Sequence, residues 1–206
     1  MTSTWLGRPV HHFACLGSTN DVARDLARGG AAEGTLVIAE EQIAGKGRLG
    51  RSWWAPPCSC LLLSLIFRPP LAPAQAQRLT MIAGLACAEA VEAQTGLRPG
   101  LKWPNDLVLA GRKLAGILTE LETAGERLDF AVVGIGLNVN VDFRQQEADA
   151  KLCESAIGLS QALGRTVDRL ALLNELLVRL ERRYERLRGG QSPHDEWAAR
   201  LVTLGR

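Results

Sequence analysis

The chain has 206 residues, 47% of them hydrophobic and 22% charged, a composition that excludes disordered, fibrous and membrane-spanning proteins. Its 24 basic and 22 acidic side chains leave a formal net charge of +2. No overall positive field would attract nucleic acid, so any anion site must be local. We expect one domain over residues 1–206. Scattered cysteines without metal-site spacing, and no signal sequence, predict a cytoplasmic protein with reduced thiols.

The first half of the chain predicts one short helix and two strands. The helix begins after Ser18, a residue suited to the N-cap, carries Asp21 in its first turn and ends at Gly29-Gly30. Apolar runs of strand length follow at 35–39 and 60–67. The loop between these runs is rich in glycine, proline and charge, and loops of that length inside a domain usually have a function.

The second half predicts a long helix, three strands and two more helices. The first of these helices covers 73–95 and is closed by Gly96. Turn signals at Ala110-Gly111 and Ala124-Gly125 separate three extended segments of an antiparallel meander, at 101–109, 113–120 and 128–140. The last helices cover 155–163 and 167–188, the second with an apolar stripe of Leu170, Leu173, Leu177, Leu180, Tyr184 and Leu187. Together these elements predict an α+β fold, a mixed and largely antiparallel central sheet with helices packed on one side.

A loop of alternating glycines and cations is the sharpest local feature. The segment Gly45-Lys46-Gly47-Arg48-Leu49-Gly50-Arg51 is followed by Trp53 and Trp54. Glycines let backbone N–H groups approach a ligand and the cations neutralise phosphate, so the segment predicts a polyphosphate site. It lacks the GxxxxGK[ST] pattern of P-loop NTPases. A solvated basic turn, or an RNA contact through the same arginines and tryptophans, would also account for these residues.

Two further segments combine polar groups and glycines on apolar strands. Lys102-Trp103-Pro104-Asn105-Asp106 sets a lysine, an amide and a carboxylate in such a strand, and Lys113 follows. Buried polar groups cost free energy unless they meet a partner. Gly134 and Gly136 occupy alternate positions of the next apolar strand. They would open a flat floor for a ligand, although a β-bulge or tight sheet packing would explain the same glycines.

Six motifs in this order and spacing resemble the biotin–protein ligases over roughly residues 18–140. They are Ser18-Thr19-Asn20, Gln42, GKGRLGR followed by tryptophan, KWPND, RKLAGIL with Glu120 behind it, and GIGLNVN. The resemblance implies a catalytic domain related to class II aminoacyl-tRNA synthetases. It also implies two steps: biotin and ATP give biotinyl-5′-AMP and pyrophosphate, and a lysine of the biotin carboxyl carrier protein of acetyl-CoA carboxylase then takes the biotin.

The resemblance also implies residue roles. It assigns Lys113, Arg48 and Asp106 to catalysis, with Asp106 a candidate to organise Mg²⁺ or Lys102. The positions matched to biotin binding are Ser18, Thr19, Asn20, Gln42, Gly45, Lys46, Gly47, Arg48, Lys113, Gly116, Leu118, Gly134 and Gly136. The positions matched to ATP binding are Arg48, Arg51, Trp53, Asn105, Ile117 and Asn138. Arg48 and Lys113 are expected to neutralise the biotin carboxylate and the α-phosphate.

Departures from the family pattern leave alternatives open. The small C-terminal β-barrel typical of biotin ligases is expected to be missing or truncated after about residue 200. Only 17 residues precede Ser18, so we expect no N-terminal DNA-binding domain, no DNA partner and no membrane, while the resemblance allows a homodimer. One alternative is a lipoate ligase or octanoyl transferase, which shares the fold. Another is a biotin-binding module with little turnover.

Overall fold

The computed structural model describes residues 3–125, 127–145 and 150–202. Within these ranges the chain forms one seven-stranded sheet and six α-helices. The strands are β1 Val10–Phe13, β2 Leu36–Ala39, β3 Leu61–Phe67, β4 Gly100–Lys102, β5 Asp106–Leu109, β6 Arg112–Ala124 and β7 Arg127–Leu137. The helices are α1 Thr19–Arg28, α2 Gln77–Thr95, α3 Ala150–Ser155, α4 Leu159–Leu163, α5 Arg169–Arg188 and α6 His194–Ala199. Most of the segment expected to begin a C-terminal barrel lies outside the described residues.

The strand order of the sheet is β1-β2-β3-β7-β6-β5-β4. β1 pairs with β2 in parallel, and each of the other neighbouring pairs is antiparallel. The mixed, largely antiparallel sheet predicted from the sequence is therefore confirmed. The turns at Ala110-Gly111 and at Gly125 are confirmed as well, since these residues adopt the positive φ angles that such turns require.

The two faces of the sheet are covered differently. Alternate residues of β3 and β7, including Leu63 and Ile135, share one large core with α2 and α5. α1 packs on the opposite face, where its Ala23 and Ala27 contact a smaller cluster around Ile66. The expectation that helices cover one side thus holds for the two long helices but not for α1. Because α1 is short, it covers only part of its face and leaves the rest of the central strands open.

Two predicted elements are interrupted in the structure. The single strand expected over 101–109 is two strands, β4 and β5, joined by a turn that contains Pro104. A proline cannot donate to the strand ladder, which favours a turn at that point. The helix expected over 155–163 is also broken, because Gly158 lies so close to the Val141 carbonyl oxygen that a Cβ would be 2.1 Å from it.

The apolar stripe predicted on α5 is correct except at its first member. Leu173, Leu177 and Leu187 are buried in the main core, whereas Leu170 is 66% exposed. Leu170 lies in the first turn of α5, where the fully buried residue is Leu172 instead. The sequence analysis did not identify β1 or α6, since both are short and carry mixed polar and apolar residues.

Candidate functional site

A pocket of about 390 Å³ opens on the sheet face that carries α1. Its walls are the start of α1, the glycine-rich loop of residues 45–51, the β4–β5 turn and the central parts of β6 and β7. All the site residues predicted from the sequence lie in its lining except Gly45 and Asn138. They are Ser18, Thr19, Asn20, Gln42, Lys46, Gly47, Arg48, Arg51, Trp53, Asn105, Asp106, Lys113, Gly116, Ile117, Leu118, Gly134 and Gly136. The volume is of the size that small-molecule sites commonly have.

One end of the pocket carries buried, uncharged polar groups. Thr19 donates its backbone N–H to Gln42 Oε1 over 2.7 Å, and the Thr19 hydroxyl lies 3.0 Å from the same oxygen. Ser64, in the centre of β3, contacts both Thr19 and Asn20. The sequence analysis missed Ser64, although a lone serine inside the apolar run CLLLSLIF was a usable signal. Such neutral donors and acceptors fix the orientation of a polar ring.

Ser18 occupies the N-cap of α1, as predicted, but its side chain makes no capping hydrogen bond. The residue is only 3% exposed and lines the pocket. Its hydroxyl is therefore not committed to the helix and remains available to a ligand.

The opposite end of the pocket carries cations, which contact polar partners. Lys113 Nζ lies 2.8 Å from Asp106 Oδ1, and Arg48 Nη1 donates to Asn105 Oδ1 over 3.3 Å. Lys46 pairs with Asp21 of α1. The carboxylate of Asp106 thus holds Lys113 rather than Lys102. An anionic ligand would compete with these carboxylates and amides for the cations.

The backbone geometry of the glycine-rich loop directs its cations towards the pocket. The loop folds back on itself. Trp53 donates its backbone N–H to the Gly45 carbonyl over 2.8 Å, and Gly47 donates its backbone N–H to the Arg51 carbonyl. A Cβ on Gly45 would lie 2.5 Å from the Trp53 carbonyl oxygen, which explains the glycine at this position. Gly45 lies outside the pocket, so its contribution to the site is this close backbone approach.

Three glycines beneath the pocket make room for side chains of the protein itself. A Cβ on Gly134 would lie 2.0 Å from Asn20 Oδ1, and one on Gly136 would lie 2.5 Å from Trp53 Cε2. Gly116 is also covered by the Trp53 ring. The pairing of β7 with β3 and β6 is regular at these positions, so a β-bulge does not explain them. The glycines form a floor on which Asn20 and Trp53 lie.

Trp53, which lines the pocket, carries a buried donor without a partner among the described residues. Its Nε1 is buried and has no hydrogen-bond partner among residues 3–125, 127–145 and 150–202. Lys113 Nζ lies 5.5 Å from the centre of the Trp53 ring, within the range of a cation–π contact. Buried donors normally have partners, so this N–H, which is enclosed by the protein and unpaired within the described chain, is unusual.

Ile117 and Asn138, which the motifs matched to ATP binding, make contacts within the protein that the motifs alone do not show. The Ile117 side chain is buried in the core with α2, and only its backbone faces the site, where the carbonyl accepts from Asn105 Nδ2 over 2.8 Å. The buried Asn138 amide donates to the carbonyls of Ile157 and Lys113. Asn138 therefore holds the backbone that carries Lys113 and lies outside the pocket.

Cys58 and Cys60 lie just before β3 and make different contacts. Cys58 is exposed with a φ of 57°, and its N–H bonds the Glu40 carbonyl. Cys60 is buried in a small cluster with Leu62, and burial raises the pKa of its thiol. Cys60 is thus a packing residue, and neither cysteine lines the pocket.

Comparison with known proteins agrees with this geometry. The profile of the Biotin/lipoate A/B protein ligase family matches residues 12–138. The chain is 37% identical to the biotin--[acetyl-CoA-carboxylase] ligase of Mycobacterium tuberculosis over 204 residues. The aligned region covers 96% of this chain and 73% of that protein. It is also 37% identical over 181 residues to the bifunctional ligase/repressor BirA of Bacillus spizizenii, covering 87% of this chain and 54% of that protein. The chain thus spans about half the length of the Bacillus relatives that it matches.

Solved structures show the same fold. The biotin protein ligase of Aquifex aeolicus in complex with biotin and ATP superposes with a TM-score of 0.79 at 28% identity, over 97% of this chain and 81% of that one. The matched family segment contains α1, the glycine-rich loop and the pocket-lining parts of β6 and β7. Sequence, fold and pocket therefore agree, and the chain belongs to the biotin/lipoate A/B protein ligase family.

Proposed function

We propose that this protein is an ATP-dependent biotin–protein ligase. It would activate biotin to biotinyl-5′-AMP and transfer the biotin to a lysine of the biotin carboxyl carrier protein of acetyl-CoA carboxylase. The observation that carries the proposal is that one pocket joins a buried, uncharged polar end to a cationic end. Biotin has the same two-part character, a neutral ureido ring at one end and a carboxylate at the other.

The first step has an electrostatic obstacle that the cationic end would remove. A carboxylate and a triphosphate repel each other, and charge builds up on the α-phosphoryl oxygens as the carboxylate attacks. Lys113 and Arg48 line the pocket where fixed cations can neutralise this charge. The attack forms the bond from the carboxylate oxygen to phosphorus and releases pyrophosphate. A lysine amine of the carrier then attacks the acyl carbon, forms an amide and releases AMP.

Names of relatives support the substrate class. The Mycobacterium tuberculosis relative is named as a biotin ligase of acetyl-CoA carboxylase, and the Aquifex aeolicus structure is titled as a complex with biotin and ATP. The remaining site residues divide accordingly. Ser18, Thr19 and Gln42 would bond the ureido ring, and Arg51, Trp53 and Asn105 would contact the nucleotide.

Mg²⁺ is expected to enter with ATP. The described residues contain no group of three or more His, Cys, Asp or Glu side chains that could hold a metal ion. Mg²⁺ in nucleotide sites is commonly bound by one or two carboxylates and by the substrate phosphates, so this composition fits a metal brought by the nucleotide. Asp106 is the candidate protein carboxylate, and the ion would neutralise phosphate charge.

The cellular location that we propose is the cytoplasm. No helix of the described chain is long and apolar enough to cross a membrane. None of the five cysteines forms a disulfide, which suits a reducing compartment.

Pyrophosphate release tests the proposed catalytic residues. We expect Lys113→Ala and Arg48→Ala each to lower biotin-dependent pyrophosphate release about a hundredfold to a thousandfold, as the loss of one charge-stabilising group typically does. Arg112→Ala is the matched control, because Arg112 is the neighbour of Lys113 on β6 and does not line the pocket. Near-normal release by both pocket variants would overturn the assignment.

The two alternative functions give different results in one assay series. Titration with biotin, followed by the pyrophosphate assay with biotin, lipoate and octanoate in turn, identifies the activated acid. Turnover with lipoate or octanoate but not biotin would indicate a lipoate ligase. An octanoyl transferase takes an acyl group that is already activated, so it would release no pyrophosphate with any of the three acids and would not bind biotin. Tight biotin binding without turnover would indicate a binding module. Incubation with ATP, labelled biotin and a carrier domain, read by mass, tests the transfer step.

A further inference from the structure

A chain of short hydrogen bonds runs through the polar end of the pocket. Ser64 Oγ lies 2.6 Å from Asn20 Oδ1 and 2.8 Å from Thr19 Oγ1. Thr19 Oγ1 lies 3.0 Å from Gln42 Oε1. Outside the pocket, Glu120 Oε2 lies 2.7 Å from Asn20 Nδ2, at the far end of the same chain. Glu120 therefore joins this chain of hydrogen bonds through Asn20, and its other carboxylate oxygen lies 3.4 Å from Arg24 Nη1.

Glu120 determines how the Asn20 amide is turned. Asn20 Nδ2 has two partners, the Glu120 carboxylate and the Leu118 carbonyl oxygen at 3.3 Å. Both partners can only accept, so the NH₂ group must face them and Oδ1 must face Ser64. The partners of an amide are what distinguish its oxygen from its nitrogen. With Glu120 removed, only the longer bond to a carbonyl would oppose rotation of the amide.

The orientation of Asn20 decides which hydroxyl donates to which oxygen. Three oxygen–oxygen contacts lie between Asn20 and Gln42, and the hydroxyls of Ser64 and Thr19 supply two hydrogens for them. Because Asn20 Oδ1 has no hydrogen, Ser64 must donate to it. The Thr19 hydroxyl can then donate its hydrogen either to Ser64 or to Gln42. One of the three oxygen–oxygen contacts is therefore left without a hydrogen.

A reversed Asn20 amide would give the opposite result. Its Nδ2 would donate to Ser64, Ser64 to Thr19, and Thr19 to Gln42, so all three contacts would be filled from within the protein. The orientation that Glu120 holds therefore leaves the polar end one hydrogen short. The missing hydrogen leaves a free acceptor position on Thr19 Oγ1 or on Gln42 Oε1, which within the described chain otherwise accepts only from the Thr19 backbone N–H. Both residues line the pocket, so a ligand N–H can use this position.

We propose that Glu120 is a positioning residue that makes this end of the pocket selective for a ligand N–H group. By holding the Asn20 amide, it sets the direction of the hydrogen bonds at Thr19 and Gln42 and leaves a free acceptor position there, to which a ligand N–H can donate. This inference rests on the proposed function, in which the ureido ring of biotin supplies the N–H.

Two substitutions at position 120 test the proposal by calorimetric titration with biotin in the absence of ATP. We expect Glu120→Leu to raise the Kd about tenfold, the equivalent of one lost hydrogen bond. Glu120→Gln should stay within about twofold of wild type, because its amide oxygen can still accept from Asn20. In steady state the biotin KM of Glu120→Leu should rise by the same factor, with kcat and the ATP KM unchanged. A defect in folding would not produce this division between KM and kcat.

Two control variants separate orientation from charge. Glu122→Leu removes the next carboxylate on the same face of β6, which pairs with Arg28 and not with Asn20. Arg24→Gln removes the 3.4 Å ion pair to Glu120, and the pair of Arg24 with Asp21, but keeps the bond from Asn20 to Glu120 and the pair of Asp21 with Lys46. Both should bind biotin like wild type. The side-chain NH₂ signals of Asn20 in NMR spectra should be protected from exchange in wild type and Glu120→Gln, and lose protection in Glu120→Leu.

Unchanged biotin affinity of Glu120→Leu would overturn the inference, and so would equal weakening by Glu120→Gln. Either result leaves the proposed function intact, because wild type would still bind biotin. A wild-type protein that fails to bind biotin would instead refute the proposed function.

Discussion

Gly134 has no side chain, and the space that this leaves is occupied by the amide of Asn20. Its Cα carries no Cβ where the Asn20 amide oxygen lies, and Asn20 in turn connects Ser64 to Glu120. The motif indicated that glycine was needed at this position. It did not indicate that the space is occupied by Asn20, because contact between residues so distant in sequence depends on α1 packing against β7.

Gly134→Ala is expected to weaken biotin binding more than tenfold, since the new methyl would displace the Asn20 amide from its place. The same overlap should lower the free energy of unfolding by about 1–3 kcal/mol. Gly17→Ala is the control, because a Cβ at Gly17 would meet no atom within 4 Å. Isothermal titration and urea unfolding measure the two effects. Wild-type affinity in Gly134→Ala would show that Asn20 does not need this position.

At the scale of elements, α1 and α5 begin in different ways. Asp168 caps α5, and its carboxylate accepts from the N–H groups of Leu170 and Ala171. Ser18 holds the same position on α1 without a side-chain cap. Both residues are good N-cap types in the sequence, so propensity alone does not separate them. The two residues differ because Ser18 lines the pocket and its side chain makes no hydrogen bond to the helix end.

Asp168→Ala should lower the free energy of unfolding by about 1 kcal/mol, the usual cost of a lost N-cap. Ser18→Ala should cost less in stability, since no capping bond is lost, and should weaken biotin binding instead. Chemical denaturation and biotin titration on both variants measure this contrast. A larger loss of stability in Ser18→Ala than in Asp168→Ala would contradict the assignment.

At the scale of the whole molecule, Glu181 attaches the N-terminal segment to α5. This buried carboxylate of α5 accepts from the backbone N–H groups of Thr4, Trp5 and Leu6. Burial raises the pKa of the Glu181 carboxyl, but the N–H groups of Leu6, Thr4 and Trp5 oppose this more strongly and hold the pKa below its ordinary value of 4.5. The N-terminal segment is thus attached to the helix layer through one charged group.

The lowered pKa determines the pH dependence. A carboxyl whose pKa is depressed on folding stabilises the protein above its unfolded pKa, and this stability is lost as the pH falls through the folded pKa. We expect Glu181→Gln to lower the free energy of unfolding by about 2 kcal/mol at pH 7. The difference from wild type should shrink below about pH 4.5, where the unfolded carboxyl takes up protons.

Urea unfolding across this pH range measures the effect. Glu175→Gln is the control, because Glu175 pairs with Arg179 within one turn of the same helix, and such a partly exposed pair contributes little. A gap between Glu181→Gln and wild type that stays constant from pH 7 to pH 3 would contradict the role given to the charge.

The sequence by itself determined the motifs, the class of fold and most of the residues that line the pocket. Apolar periodicity and turn residues act locally, and for this reason the end of α2 at Thr95 and the turn at Gly111 were predictable, although α2 begins at Gln77 and not at residue 73. The glycine–cation loop and KWPND are contiguous, so their chemistry was visible without a fold.

Only the tertiary structure decided which of these groups touch. Ile117 faces the core, Asn138 holds a backbone segment, Asp106 pairs with Lys113, and Ser64 joins the site. These outcomes depend on strand register and on the face where α1 packs, which are set by the burial of the whole sheet. The direction of the hydrogen bonds between Glu120 and Gln42 has the same origin, because four separate parts of the chain must meet to fix it: α1, the loop at Gln42, β3 and β6.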